Sequence, residues 1–423
     1  MRFLHAADVH LDSPLRGLER YEGAPVEEIR GATRRAFENL VALAIEESVD
    51  FVLLAGDIYD GDWRDYNTGL FLTGQMGRLN DHGIPVFLIA GNHDAASQIT
   101  KALRPPRNLS VFATHAPETW VLEHLGVAIH GQGFPSRAVT DDLSRAYPQG
   151  DPALFNIGLL HTSLDGRPGH EPYAPCTLDG LKAKGYQYWA LGHVHQRELI
   201  AEDPYILYPG NIQGRHIRET GPKGCTLVRV EEGEVVEIEA RALDVVRWAI
   251  CPVDVTDVRS LDPILPLVEQ SLAGASDAAE GRLLATRLRL TGRSPIHSRL
   301  HAEHDRLLNE CRALVSSTGL ADVWIEKLVV ETHPSAPVSE LSREDAFGGL
   351  LRTIHALELD GERLSALCEE VQALALKLPP ALRGGDDPFD PSDPEYLSGC
   401  LEDVKALLVE RLRGQGDPQE VTG

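Results

Sequence analysis

Over its first 245 residues the chain alternates short apolar runs with segments that are apolar on one side only, and this alternation is typical of a layered α/β domain. Residues 32–48 repeat their apolar positions at helical spacing and predict an amphipathic helix. Segment 224–240 predicts a hairpin that turns at 231–233. The remaining apolar runs predict strands at 2–6, 51–55, 85–90, 156–160, 187–191 and 205–212.

The pattern changes near residue 245, where a second set of elements begins. Strands and helices then alternate as a compact βαβαβ unit, with predicted elements at 247–255, 260–273, 283–291, 296–316 and 322–332. After a break at 333–337 the pattern becomes helical, with a linker rich in Pro, Asp and Gly at 379–394. The helices are predicted at 342–357, 360–378 and 395–413. We therefore expect three domains, over residues 1–245, 246–335 and 336–423.

The charge of the chain is strongly acidic, since 40 basic and 64 acidic side chains leave a formal charge of −24. Residues 1–245 carry 22 basic and 34 acidic side chains, and the remainder carries 18 and 30. A protein that binds nucleic acid mainly by neutralising phosphates should show a basic excess, which neither part has. Any contact with DNA must therefore depend on bound cations, local arginines or a partner.

The sequence carries no signal for a membrane or for secretion. No run of 18 apolar residues occurs, so we expect no membrane-spanning segment and no membrane partner. The amino terminus lacks a secretory leader pattern, and the six cysteines form no CxxC pair. Scattered thiols of this kind fit a reducing compartment, and we expect a cytoplasmic protein.

Five short polar clusters follow predicted strands. The loops that leave the carboxyl ends of neighbouring strands converge on one site in open α/β folds, so clusters far apart in sequence can meet in space. One cluster alone would be weak support, because a single His or Gly-Asp at a strand end usually serves a turn. The five clusters are AADVH with Asp8 and His10, AGDIYD with Asp57 and Asp60, AGNHD with Asn92, His93 and Asp94, LLHTS with His161, and LGHVH with His193 and His195.

The residue types in these clusters favour a catalytic metal site. Carboxylate, imidazole and amide oxygen suit Mn²⁺, Fe²⁺ or Zn²⁺, whereas the lack of thiolate argues against a structural zinc site. Seven candidate ligands are too many for one open catalytic metal and enough for two, with one carboxylate bridging. Paired ions roughly 3.5–4 Å apart can activate a water and hold a phosphoryl group for in-line attack.

The ordered set DxH, GD, GNHD, H and GHxH resembles the calcineurin-like metallophosphoesterase superfamily. The longer stretches HAADVHLDSPLRGL, GDIYDGDWRDYNTGLF, NIGLLHTSLDGRPGHEPYAPC and YWALGHVHQRE resemble the SbcD/YhaO-type DNA repair exonucleases. The resemblance is strong over residues 1–245 and extends to the remainder only in layout. It implies an α/β fold, with a layered β-sandwich metallophosphoesterase domain and flanking helices, a smaller α+β capping domain, and C-terminal helices.

The resemblance also implies a role for each candidate residue. His93 would contact the scissile phosphate and help to protonate the leaving oxygen, and Asp94 would orient it by a hydrogen bond. Two divalent ions are implied, and Mn²⁺ is expected, with Fe²⁺ or Zn²⁺ as alternatives. Asp57 would bridge both ions, and the other ligands form two sets: Asp8, His10 and His195 for one ion, and Asn92, His161 and His193 for the other.

One position departs from the pattern of some nuclease relatives. They carry a second catalytic histidine three residues after the bridging aspartate, where this sequence has Asp60. An aspartate does not readily donate a proton to a phosphate at neutral pH, so the effect of this replacement on nuclease activity is left open here.

These expectations lead to a metal-dependent DNA exonuclease or phosphodiesterase that acts on DNA ends in repair. One alternative is a phosphatase or nucleotide phosphodiesterase for small phosphoesters, which the acidity favours and the added domains disfavour. A second is a non-catalytic DNA-tethering subunit of an SMC-like complex, which the full ligand set disfavours. The expected partners are DNA and an SMC-like, SbcC-type coiled-coil ATPase docked on the C-terminal helices, unless those helices pack within this chain. A homodimer is left open.

Two further groups of residues are interpreted more simply. His297, His301 and His304 recur at helical spacing among charged residues, and we predict a solvated helix face. Four residues flank the last metal motif and the PGNIQGRH segment, and either phosphate contacts or surface ion pairs would suit them. They are Arg197, Arg215, His216 and Arg218.

Overall fold

The structure, a computed structural model, describes most of the chain as two compact units. The first unit holds the described residues up to Arg247, apart from 23–24 and 216–218, and the second continues from Trp248. The described residues are 1–13, 23–60, 66–96, 106–164, 173–334 and 345–357, with single positions between 377 and 412.

The first unit is built on two six-stranded sheets. In sheet one the order is β12-β11-β1-β2-β3-β4, and β1 to β4 run parallel while β11 runs antiparallel to β1. Its strands are β1 (Arg2–Ala6), β2 (Phe51–Leu54), β3 (Val86–Leu88), β4 (Leu109–Val111), β11 (Gly224–Glu231) and β12 (Glu234–Ala242).

Sheet two repeats this plan with a parallel centre. Its order is β5-β6-β7-β8-β10-β9, and β6, β7, β8 and β10 run parallel. Its strands are β5 (Glu118–Leu122), β6 (Val127–Gly131), β7 (Phe155–His161), β8 (Tyr188–Gly192), β9 (Glu198–Glu202) and β10 (Tyr205–Tyr208).

The two sheets pack face to face through aromatic side chains. Phe3 stacks on Phe51 within sheet one, with ring centroids 5.0 Å apart. Phe3 also meets the edge of Tyr188 from sheet two at 5.2 Å, which joins the sheets through a fully buried core. Edge-to-face rings of this kind add to the stabilisation that burial of their area provides. The sandwich therefore has a closely packed aromatic interior beneath the strand ends.

Helices cover the outer faces of the sandwich. The apolar side of α2 (Ala32–Glu46) buries Phe37, Leu40 and Val41 in the core formed with sheet one. The outer face of sheet two buries Trp189 beside α5 (Leu178–Lys182) and a short 3-10 helix (Leu143–Ala146). The other helices of this unit are α1 (Val26–Arg30), α3 (Tyr66–Asp81) and α4 (Asn92–Ala96).

The second unit contains the expected βαβαβ arrangement. A three-stranded sheet has the order β13-β14-β15, and β14 and β15 run parallel, as strands joined by crossover helices do. Buried side chains of strands and helices share one apolar core. The elements are β13 (Val246–Asp254), α6 (Ile264–Ala278), β14 (Leu283–Ser294), α7 (His297–Ala302), α8 (His304–Ser317) and β15 (Val323–Pro334), followed by α9 (Ala346–His355).

The predicted α/β layered fold with an added α+β unit and C-terminal helices is confirmed, with local differences. The predicted strands before 192 are present with ends shifted by at most two residues, while β4, β5, β6, β9 and α3 were not predicted. The predicted helix 296–316 is divided at Glu303. The predicted helix 360–378 lies almost wholly outside the described residues. In the described part of the chain no helix is long and apolar enough to cross a membrane.

The predicted solvated face around His297 is wrong. His297 is only 8% exposed, and its Nδ1 lies 2.8 Å from Thr332 Oγ1 on β15. His304 Nε2 donates to the carbonyl of Leu328 at 2.9 Å. These histidines turn toward the sheet because α7 and α8 pack on β15, so charged neighbours in sequence did not indicate their environment.

Tight packing between neighbouring strands makes Gly158 a sensitive position. Gly158 pairs with Trp189 in the register of β7 and β8, and a Cβ atom at Gly158 would overlap the Trp189 ring. We expect Gly158→Ala to lower the free energy of unfolding of the metal-free protein by roughly 1–3 kcal/mol. Gly74→Ala, on an exposed turn of α3 with open space around it, should instead raise it by about 1 kcal/mol. Chemical denaturation of both variants measures this, and equal losses would contradict it.

Candidate metal centre

The five polar clusters meet at one end of the sandwich. They follow β1, β2, β3, β7 and β8, which are parallel strands of the two packed sheets. Loops from both sheets therefore face each other across the same edge. The nine side chains expected at the site all lie there: Asp8, His10, Asp57, Asn92, His93, Asp94, His161, His193 and His195.

The backbone of these loops is held in conformations that few residues adopt. Asp8, His10 and Asp57 have φ angles of 51°, 48° and 54°, and His193 has φ 104°. Hydrogen bonds brace the loops, because Asp8 N donates to Gly56 O and His10 N donates to Asp57 O, both at 3.0 Å. Strained residues that cluster in this way are typical of functional sites. Packing of the two sheets holds the loops in place.

Asp8, His10 and His195 form the first candidate ligand group. The Nε2 atoms of His10 and His195 lie 3.2 Å apart, and His195 Nε2 lies 3.9 Å from Asp8 Oδ1. Metal–nitrogen bonds of about 2.0–2.1 Å at octahedral to tetrahedral angles place two nitrogens roughly 2.8–3.4 Å apart. Burial, with the charge of Arg215, lowers the pKa of His10 to about 3 and keeps its ring in the neutral form that binds metals. The group therefore fits a divalent ion.

A second candidate group surrounds the buried carboxylate of Asp57. His161 Nε2 lies 3.4 Å from Asp57 Oδ2 and 2.9 Å from Asn92 Oδ1, and the ring of His193 lies 5.3 Å from that of His161. Asp8 shares a cluster with Asp57 and His161, so the two groups adjoin. When bound, divalent ions supply Lewis-acid polarisation of a phosphoryl group and a more acidic water.

The electrostatics of the second group call for positive charge. Burial opposes the charged form of Asp57, but the neighbouring His161, His10 and His93 hold its pKa below the usual range. Burial would likewise lower the pKa of His161, yet the Asp57 carboxylate raises it to about 9. A proton on His161 and a bound cation are alternative ways to compensate the buried carboxylate.

The residue that orients His93 is Asp60, and the expectation that Asp94 does so is wrong. His93 Nδ1 lies 2.9 Å from Asp60 Oδ1. Asp94 instead accepts hydrogen bonds from three backbone N–H groups, those of Ile58, Tyr59 and Gly91. Asp94 therefore ties two loops together, and sequence adjacency to His93 pointed to the wrong carboxylate.

Asp60 occupies the place of the second catalytic histidine that some nuclease relatives carry. It also accepts a hydrogen bond from Ser13 Oγ at 2.6 Å, and its distance of 3.7 Å from His10 Nδ1 is too long for a hydrogen bond. Burial opposes the charged form of Asp60, but the neighbouring His10, His93 and Ser13 hold the pKa of Asp60 well below its usual range. Asp60 thus acts on His93 as a hydrogen-bond acceptor.

Two glycines allow the loops to approach. A Cβ atom at Gly91 would overlap the carboxylate of Asp57, and one at Gly192 would overlap the carbonyl of Ala55. These glycines, in AGNHD and LGHVH, have no side chain, and the loops that carry the candidate ligands can therefore approach one another closely.

Two neighbours of the site were not assigned to it from the sequence alone. Glu219 Oε1 lies 2.6 Å from His195 Nδ1. Arg215 carried two interpretations, and its guanidinium lies 3.3 Å from Glu219 and 3.9 Å from Asp60. A carboxylate 24 residues after the histidine it contacts gives no local signal in the sequence. Arg215 therefore forms its ion pairs within the site and not on the open surface.

Comparison with known proteins places this geometry among metallophosphoesterases. Residues 1–197 match the calcineurin-like phosphoesterase model, and residues 248–333 match the middle domain of the metallophosphoesterase YhaO. The uncharacterized metallophosphoesterase YhaO of Bacillus subtilis (strain 168) is 36% identical over 365 residues, which covers 85% of this chain and 88% of that protein.

More distant relatives carry a DNA repair name. The DNA double-strand break repair protein Mre11 of Sulfurisphaera tokodaii is 26% identical over 275 residues, covering 61% of this chain and 67% of that protein. The protein of the same name from Methanopyrus kandleri is 29% identical over 270 residues, covering 56% of each chain.

The roles of His93 and its two neighbouring carboxylates can be separated by substitution. His93→Ala should lower kcat for a phosphodiester by roughly 10²–10⁴-fold with unchanged metal content, because a general acid contributes about that much. Asp60→Asn should lower kcat less, by about 10–100-fold, since it weakens a charge-assisted hydrogen bond of roughly 1.5–3 kcal/mol. Steady-state kinetics and elemental analysis measure these effects.

Asp94→Asn and Asp179→Asn are the matched controls. Asp179 is exposed, so its variant should behave as the wild type. Asp94→Asn should lower thermal stability first, because its carboxylate holds backbone groups. A selective loss of kcat in Asp94→Asn, with none in Asp60→Asn, would restore Asp94 as the residue that orients His93.

The close approach of Gly91 to the Asp57 carboxylate predicts that a side chain at position 91 lowers the affinity for metal ions. Gly91→Ala should displace the Asp57 carboxylate and lower affinity for divalent ions by at least about 10-fold, as disturbing a ligand's surroundings commonly does. Gly74→Ala is the control for an added methyl group. Isothermal titration with Mn²⁺ measures both, and wild-type affinity in Gly91→Ala would show that the loop can yield.

Proposed function

Because this chain belongs to the YhaO family of calcineurin-like metallophosphoesterases, we propose that it hydrolyses phosphodiester bonds at DNA ends with two divalent ions, of which Mn²⁺ is the expected metal. The observation that carries the proposal is the convergence of seven candidate ligands and His93 at one edge of the sandwich. The name of the Mre11 relatives supports DNA as the substrate.

Most of the proposed ligands are less exposed than the residue proposed to meet the substrate. The side chains of His10, Asp57 and His161 are at most 2% exposed, whereas that of His195 is 24% and that of His93 is 29% exposed. Ligands that are mostly buried suit ions that stay in place. A partly open histidine suits a group that contacts an incoming phosphate.

The hydrogen bond to Asp60 gives His93 a defined role in this proposal. Asp60 accepts from Nδ1, so Nε2 is the nitrogen left to donate a proton to the leaving oxygen. Burial lowers the pKa of His93, but Asp60 and Asp57 outweigh it and raise the pKa above the usual value. A carboxylate-held histidine of this kind is suited to act as a general acid.

The acidic charge of the chain shapes how DNA would bind. A formal charge of −24 repels phosphates, so the proposal assigns much of the local attraction to the bound ions. The same acidity supports a competing candidate, a phosphatase or nucleotide phosphodiesterase for small substrates. The two candidates differ in whether polymeric DNA is cut.

The C-terminal helices support a proposed partner. Leu351 and Ile354 of α9 pack against Val409, so part of the apolar surface of these helices is buried within the chain. Leu350 and Leu357 remain 44% and 41% exposed. We propose that an SMC-like coiled-coil ATPase binds this outer face. We also propose that the second unit limits which DNA reaches the ions.

One assay tests the proposed function. With Mn²⁺, the protein should release nucleotides from the ends of linear single-stranded or double-stranded DNA and should cleave a chromogenic phosphodiester. His93→Ala is the control that keeps the metal. Time courses on end-labelled DNA and on closed circular DNA distinguish end-dependent cutting from cutting within the strand.

Two results would contradict the proposal. Hydrolysis of small phosphoesters without any cleavage of DNA would favour the phosphatase alternative. Turnover that persists at the wild-type rate in His93→Ala would show that the activity arises elsewhere or from a contaminant.

A further inference from the structure

The second ring nitrogen of His195 meets a buried carboxylate. His195 Nδ1 lies 2.6 Å from Glu219 Oε1, and the Glu219 side chain is only 7% exposed. Taking a carboxylate out of water is costly unless hydrogen bonds satisfy it. Its contact with His195 is therefore one of the hydrogen bonds that stabilise this buried carboxylate in the loop after the last metal motif.

Two neighbours of Nδ1 demand opposite tautomers of His195. Glu219 can only accept, which requires a proton on Nδ1, whereas Arg215 Nη2 can only donate and lies 3.4 Å away. The carboxylate contact is shorter by 0.8 Å and has the better charge match. Nδ1 therefore carries the proton, and Nε2 presents its lone pair toward His10 and Asp8.

Glu219 is itself fixed by groups of the same unit. Its Oε2 accepts from Asn211 Nδ2 at 2.9 Å and from the backbone N–H of Arg215 at 2.7 Å. The backbone of His195 is held as well, because Lys223 Nζ donates to its carbonyl at 3.0 Å. The imidazole is thus oriented from its side chain and from its main chain.

The other ligand group uses a different support. His161 Nδ1 lies 2.9 Å from the backbone carbonyl of Ala55, which is neutral and is part of the chain itself. A side-chain substitution at position 219 therefore acts on the His195 group and leaves the His161 support in place.

We propose that Glu219 is a positioning residue for the metal ligand His195, and that it selectively raises the affinity of the ion held by Asp8, His10 and His195. Its hydrogen bond fixes the Nδ1–H tautomer and the ring orientation, and it makes Nε2 a stronger donor to a metal. The proposal rests on the two-ion site proposed above.

Titration of the full chain with Mn²⁺ tests this role without any substrate. Wild-type protein should bind two ions, and Glu219→Gln should lower the affinity of one ion by about 10–100-fold while the other changes little. Glu219→Asp, which keeps the charge on a shorter side chain, should recover part of the loss. Glu202→Gln is the matched control, since it removes the same charge from an exposed position on β9.

A second measurement does not depend on how Glu219→Gln folds. In the ¹⁵N spectrum of the wild type, the ring nitrogens of His195, assigned by comparison with His195→Gln, should show a protonated Nδ1. Circular dichroism of the metal-free proteins shows whether Glu219→Gln retains the fold.

Three results would overturn the proposal. They are unchanged Mn²⁺ affinity in a folded Glu219→Gln, an equal loss at both ions, and a wild-type His195 with an unprotonated Nδ1. Failure of the protein to cut DNA would count against the proposed function alone, because none of these measurements contains DNA. A single bound ion in the wild type would refute the two-ion site, and the affinity of that ion in Glu219→Gln would still decide the role of Glu219.

Discussion

The burial of two carboxylates, Asp8 and Asp57, is the constraint on which the first unit depends. Both are almost completely removed from water, and each lies in a loop held in a left-handed backbone conformation. Such charges require compensation, and the surrounding imidazoles, backbone N–H groups and expected cations provide it. The two packed sheets bring these compensating groups to the same edge, and an aromatic core lies between the sheets.

This constraint also explains why the side chains of the site differ in their hydrogen-bond partners and in their exposure. The candidate metal ligands His161 and His195 each donate a hydrogen bond from Nδ1, His161 to the Ala55 carbonyl and His195 to the Glu219 carboxylate. His93 is more open, and its orienting carboxylate is Asp60. Asp60 thus acts on His93 as a hydrogen-bond acceptor, and it does so without entering the Asp8, His10 and His195 group or the Asp57 and His161 group.

The sequence predicted much of this site because the strand-end rule is local. Each of the clusters around Asp8, Asp57, Asn92, His161 and His193 follows a buried apolar run, and the parallel order of strands brings those run ends together. The exposed strand β5 had no such pattern, and α3 contains three glycines that weaken a helical signal. The partners of His93 and His195 depend on loop geometry at a distance along the chain, and no spacing rule identifies them.

The contact between His10 and His195 joins residues 185 positions apart in the chain. Synthesis must therefore pass β8 and reach His193 and His195 before either candidate ligand set is whole, although β1 can pair with β2 much earlier. Contacts of such long separation slow folding, because loop closure comes before any reward. Ions that bind only the finished sandwich act at the end of synthesis, where they stabilise the completed domain against unfolding by mass action.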